Sequence, residues 1–483
     1  MNSIFNAFKL VTKKTIQYME SLKKYHLSQG AKIVSSSLPG DKSKVLLELQ
    51  KNIEGSVVSY PKKMPIALKR AKGSIIEDVD GNQFIDFFGG CGVLNVGHSN
   101  DFVLEYVKEQ QEELIHALDF PTENKIFLIQ KILNSLPAEI REDYKVSFGG
   151  PTGSDAVEAA IKLAKIKTGR DGIIAFSGGY HGMTSGALAV TSDTFFRKKI
   201  SSLIPNVHFV PYSYCYRCPF SKNSNNCDYD CATHFEWILE NGHSGVTLPA
   251  AIILEPIQGE GGNIVPRPGF LERIVKIANK YGVIVIFDEI QSGFYRTGSF
   301  LEFMNTKAIP DIITFSKGFG GIGFPISGLI YKREIEAWET AEHIGTFRGN
   351  QVSIAAARGA FDFIEKYEIE EYSKVIGAYL KKQLNSLALD NSFIGEVRGR
   401  GMMIGVEFVK DKATKEPFSE YLVKFRNECF KRGLLFEVGG HYNNVLRLVP
   451  PLITTHDIVD AAIIIMKDAF VVCNNEYLKQ TLV

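Results

Sequence analysis

No apolar run in this chain of 483 residues approaches the ~18 residues that a helix needs to cross a bilayer. The most apolar late stretch, residues 461–472, is interrupted by Lys467 and Asp468. Neither charge is in excess: 55 basic residues face 54 acidic ones, for a net charge of +1. That balance gives no electrostatic reason to expect nucleic acid or a membrane as partner. Cysteines are few and odd in number, seven in all, which excludes the disulfide framework of a small secreted protein. Internal repeats and low-complexity tracts are absent too. The N-terminus carries Phe5, Phe8, Leu10 and Val11 among Lys9, Lys13 and Lys14, without the continuous apolar core of a secretory signal. Glu20 and the lack of arginine count against a transit peptide. Residues 1–50 read as an N-terminal extension, and the protein as cytoplasmic.

What the chain has is an alternation of short apolar runs and amphipathic stretches. Buried strands are expected at 145–148, 172–176, 251–254, 283–287 and 312–315, each an aliphatic or β-branched run between turn residues. Helices are expected at 155–167, stopped by Gly169, and at 271–280. Strand, helix and strand in succession imply an α/β fold with a mostly parallel sheet covered on both faces. The ends differ. Residues 73–87 have a hairpin signature with Asp80-Gly81 at the turn, and 402–408 is a short strand among helices. A small α+β domain built from both termini (51–110 and 346–483) is expected around a large domain (111–345).

The unusual polar residues fall just after the expected strands, where open parallel sheets gather ligands. Gly149-Gly150-Pro151-Thr152-Gly153-Ser154-Asp155 opens a helix, so its backbone N–H groups and helix dipole suit a phosphate. Ser177-Gly178-Gly179-Tyr180-His181-Gly182 presents Tyr180 as a platform for a flat ligand. Glu255 follows one apolar strand, and Asp288 follows another. A carboxylate in such a place is costly without a partner. Lys317 follows a third strand; a desolvated lysine is a nucleophile toward aldehydes. Taken singly, each has an ordinary structural explanation. Together, a phosphate cradle, an aromatic platform, a buried acid and a lysine match the needs of one cofactor, pyridoxal 5′-phosphate (PLP).

At this point the sequence resembles the class III aminotransferases of PLP fold type I, from about Ser56 to Leu452. The run IFDEIQSGFYRTGSF, followed by PDIITFSKGFGGIGFPISGL, is similar to the family signature. The resemblance implies that Lys317 bonds PLP as a Schiff base and moves the substrate proton. It implies that Asp288 pairs with the ring nitrogen, Gln291 lies near the ring hydroxyl, and Tyr180 stacks on the ring. Gly153 and Ser154 would hold the phosphate, and Thr346 would reach it from a neighbouring subunit, so a homodimer with shared active sites is expected. Arg447, in Leu446-Arg447-Leu448-Val449-Pro450-Pro451-Leu452, matches an arginine that clamps a substrate carboxylate, with Glu255 near that pocket. The partners implied are an amino acid donor and a keto acid acceptor.

Two departures stand out. Met183 follows His181-Gly182 where many 4-aminobutyrate and ornithine enzymes have an arginine for the distal carboxylate. The stretch around it instead looks like enzymes that move an amino group from 2,4-diaminobutyrate to 2-oxoglutarate. Gln351 follows Gly349-Asn350 where the family usually has proline. Separately, Cys215, Cys218, Cys227 and Cys231 give C-x2-C-x8-C-x3-C, a spacing that zinc can use, and equally an insertion of reduced thiols. Two alternatives to transamination stay open: a racemase or epimerase on the same scaffold, and a non-catalytic PLP-fold binding protein.

Overall fold

The computed structural model describes residues 20–223 and 226–481. The segment bearing Phe5 to Lys14 lies outside them. The chain divides into two units. One gathers the described residues up to Asp101, Ile364–Val397 and those from Gly401 on; the other is Phe102–Phe363 with Arg398–Arg400.

The second unit is built on a seven-stranded sheet. Its strands in chain order are β1 (Tyr144–Phe148), β2 (Ile173–Phe176), β3 (Val207–Val210), β4 (Ala251–Leu254), β5 (Ile284–Asp288), β6 (Ile312–Phe315) and β7 (Gly328–Lys332). Their spatial order is β1-β7-β6-β5-β4-β2-β3. Only β7 runs against its neighbours; β2, β3, β4, β5 and β6 pair in parallel. The sequence did not announce β3, a half-buried edge strand, or β7.

Strands β2, β4, β5 and β6 are buried along their whole length, as a sheet covered on both faces requires. Side chains alternate between those faces. Ile173, Ala175, Ile253 and Ile286 pack with helix α2 (Gly153–Thr168), whose buried stripe is Ala156, Ala159, Ala160, Leu163 and Ala164. The small alanines let that helix lie close to the sheet. Phe176 points the other way, with ring centroids 6.1 Å from Phe270 at the start of α3 (Phe270–Lys280). Two further helices matter below: α1 (Glu123–Asn134), which precedes β1, and α4 (Gln351–Lys366), which follows β7.

Parallel register brings the strand ends level. Leu254 pairs with Phe287, and Asp288 with Thr314. The segments that follow β1, β2, β4, β5 and β6 therefore leave one edge of the sheet together.

The first unit holds two four-stranded sheets. In one, Ile75–Asp78 and Gln83–Asp86 form the expected hairpin, with Gly81 at φ +88°. The turn is held by Asp78, whose Oδ1 accepts from the N–H groups of Asp80 and Asn82. In the other, Met403–Phe408 pairs with Val445–Leu448.

Candidate active site

Asp288 ends β5 and is buried. Its Oδ2 lies 2.7 Å from Nδ1 of His181, itself fully enclosed. Its Oδ1 accepts from the Thr314 hydroxyl at 3.1 Å and from the Ile290 N–H at 3.1 Å. The cost of burying this acid is thus met by built partners. His181 Nε2 is buried with no hydrogen-bond partner among the described residues. The pairing of His181 with Asp288 was missed in the sequence; its signal was a polar residue following the platform tyrosine in a glycine turn.

Lys317 comes two residues after β6, at φ +46°. A left-handed lysine is strained, and such strain gathers at functional sites. The residue is half-buried, and its ammonium has no ion-pair or hydrogen-bond partner among the described residues. It is therefore available to an aldehyde.

Thr152 caps α2, and Asp155 answers with an oxygen 2.9 Å from the Thr152 backbone nitrogen. Gly153 opens the helix. A Cβ there would come within 2.9 Å of the Ile290 side chain, and one at Gly182 would come within 2.2 Å of Ser154 Oγ. The turns after β1, β2 and β5 thus close on one another only because these positions are glycine. Ser154 Oγ accepts from the Met183 N–H at 3.2 Å, and Met183 itself is exposed.

Tyr180 is half-buried, edge-on to Phe196 at 5.9 Å. Glu255 supports it from below: its two oxygens accept from the Tyr180 N–H at 3.0 Å and the Gly259 N–H at 2.8 Å. Burial pushes the Glu255 carboxyl up to about 7, with Asp288 adding to the rise and His181 opposing it. Gln291 is buried directly over Gly259, where a Cβ would collide with its Oε1.

Residues 58–470 match the family model "Aminotransferase class-III". The chain is a class III aminotransferase. Among curated relatives of this aminotransferase, the diaminobutyrate–2-oxoglutarate aminotransferase of Rhizobium meliloti is 38% identical over 89% of this chain and 93% of its own length. The enzyme of that name from Haemophilus influenzae is 38% identical over 83% and 90%. Of solved structures, a Bacillus anthracis aminotransferase superposes with a TM-score of 0.81 at 27% identity, covering 90% of this chain and 99% of that one. An amine transaminase from an uncultivated Pseudomonas species, solved in its PLP-bound form, gives 0.78 at 26% identity over 87% and 98%.

PLP is the cofactor of this aminotransferase, and the residues present suit it. The unpaired Lys317, the held Asp288 and the glycine-lined N-terminus of a 16-residue helix supply what an aldehyde, a ring nitrogen and a phosphate each require.

Thr346 occupies an exposed turn after β7 and makes no side-chain hydrogen bond among the described residues. Arg447 belongs to the first unit, buried in the strand Val445–Leu448, opposite Gly405 on one side and Glu437 on the other. The second unit has a buried guanidinium of its own, Arg398, which the sequence reading passed over. Its Nε donates to the Gly262 carbonyl at 2.9 Å, and its plane lies 5.0 Å from the Tyr214 ring. The cysteines are free thiols. Among the described residues no cluster of His, Cys, Asp and Glu is arranged to hold a metal ion. Burial pushes the Cys231 thiol up to about 11. No helix of the described residues is long and apolar enough to cross a membrane.

Proposed function

We propose that this aminotransferase takes an amino group from a diamino or ω-amino acid, 2,4-diaminobutyrate first among them, and gives it to 2-oxoglutarate. The substrate reading is supported by the names of the relatives and by Met183, which stands where the 4-aminobutyrate and ornithine pattern has an arginine. The observation that carries the chemistry is Lys317 without a partner, two residues beyond the strand that pairs with Asp288.

Bound PLP supplies an aldehyde for the amine and a ring that accepts the electron pair left when the substrate carbon loses its proton. Lys317 Nζ would take that proton from the carbon bearing the amine and hold it for return on the far side of the amine nitrogen, two bonds away. Asp288, fixed by His181 and Thr314, would pair with the ring nitrogen. Tyr180 would stack on the ring, Gln291 would lie near its hydroxyl, and Gly153 and Ser154 would hold the phosphate. Thr346 reaches the phosphate of a neighbouring subunit, so the working unit is a homodimer. Its exposure beside Ile344 and Phe347, 68% and 67% exposed, supports that role. The substrate carboxylate takes a guanidinium fork, for which Arg447 and Arg398 are the two candidates. We place the enzyme in the cytoplasm.

A half-reaction tests this reading. The PLP form is mixed with 2,4-diaminobutyrate and no keto acid. Pyridoxamine phosphate formed in proportion to enzyme establishes transfer from this donor. Inversion of a chiral amino acid with no pyridoxamine phosphate would instead favour the racemase.

A further inference from the structure

Gln351, the departure from the family's proline, begins α4 and is fully buried. Its Oε1 accepts from the Thr122 hydroxyl at 2.6 Å, and its Nε2 donates to the Gly349 carbonyl at 3.0 Å. Thr122 is the cap of α1, accepting from the Lys125 N–H at 3.2 Å. Gly349 sits at φ +62°, the last bend before α4. Between Thr346 and Gly349, Arg348 closes the turn: it donates to the carbonyl of His343, on the far side of Thr346, at 2.5 Å and pairs with Asp119 at 2.6 Å. The Thr346 turn is thus tied at its base to the segment 119–122 by one exposed ion pair and one buried amide. Exposed ion pairs contribute little and are screened by salt. A buried, doubly bonded amide is costly to break and fixes geometry. Proline at the first helical position would set φ, but it has no side chain to reach Thr122.

We propose that Gln351 is the positioning residue for Thr346, fixing the turn so that its hydroxyl is presented to the phosphate bound in the neighbouring subunit. This rests on the reading of Thr346 given above.

The test is a double-mutant cycle on PLP affinity, measured by titrating PLP into the full-length apoprotein. Gln351→Met keeps volume and removes both bonds. It should weaken PLP binding about tenfold, the worth of roughly one hydrogen bond to a charged group. In the Thr346→Ala background the same change should cost under about twofold, because a residue acting through Thr346 has nothing left to position. Thr122→Val should follow Gln351→Met and covers the case in which that variant does not fold; Thr122→Ser should bind as the parent does. Equal weakening in both backgrounds, or none in either, would overturn the proposal while leaving Thr346 its role. Unchanged affinity in Thr346→Ala alone would overturn the Thr346 reading and the positioning role with it.

Discussion

At the end of β5, Asp288 is buried and gripped by His181, Thr314 and a backbone N–H. Some sixty residues later Thr346 stands in an exposed turn between Ile344 and Phe347, with its side chain bonded to nothing among the described residues. Both sit in the same unit. In the first region the buried carboxylate is satisfied by neighbours within one chain. The second has no such partners among the described residues, and we propose that another chain covers it. On the reading proposed above, one protein combines a buried acid held from within its own chain with a turn that serves the neighbouring subunit.

The strongest way to break that contrast is at the centre. Lys317→Ala should abolish turnover, by on the order of 10⁴-fold or more, while the fold and non-covalent PLP binding persist. Single-turnover kinetics and retention of PLP on a sizing column check it. At the exposed turn, Phe347→Glu should leave the monomer folded but shift it out of the dimer, since a charge there cannot be buried unpaired. Sedimentation velocity should show the smaller species, and PLP retention should fall with it. The carboxylate clamp is a finer question. Replacing the true clamp by lysine should raise KM for 2-oxoglutarate about tenfold or more, from loss of a bidentate pair. Arg398→Lys and Arg447→Lys, compared side by side, tell which guanidinium it is.

The smallest effect concerns Glu255. Its carboxyl is pushed up from 4.5 to about 7 by burial. The folded state therefore holds a proton that the unfolded chain has released, and stability falls as pH rises from about 4.5 through 7. Glu255→Gln should flatten that fall in Tm without removing it. Glu289, buried and likewise pushed up to about 7, keeps its share.

Most of the candidate site was legible in the sequence because its logic is local. A carboxylate or lysine next to a run of buried aliphatics has to be explained, and Asp288, Glu255 and Lys317 announced themselves that way. Strands β4 and β6 were legible to the residue for the same reason: all-buried runs leave little ambiguity. What was hidden depended on distance in the chain. His181 meets Asp288 across 107 positions, Arg398 meets Gly262 across 136, and Gln351 meets Thr122 across 229. No spacing rule reaches so far. Strand β7 was masked by its glycine start and antiparallel course, and β3 by its half-buried edge position.

The shared site is tested most directly by mixing two defective chains, Lys317→Ala and Thr346→Ala, and assaying at limiting PLP after subunit exchange. A mixed dimer has one site with its own Lys317 and the neighbour's Thr346 both intact. Random exchange should then restore about a quarter of the parent's sites, well above either variant alone. Activity equal to the simple average of the two variants would show that each chain completes its own site, and would contradict the account.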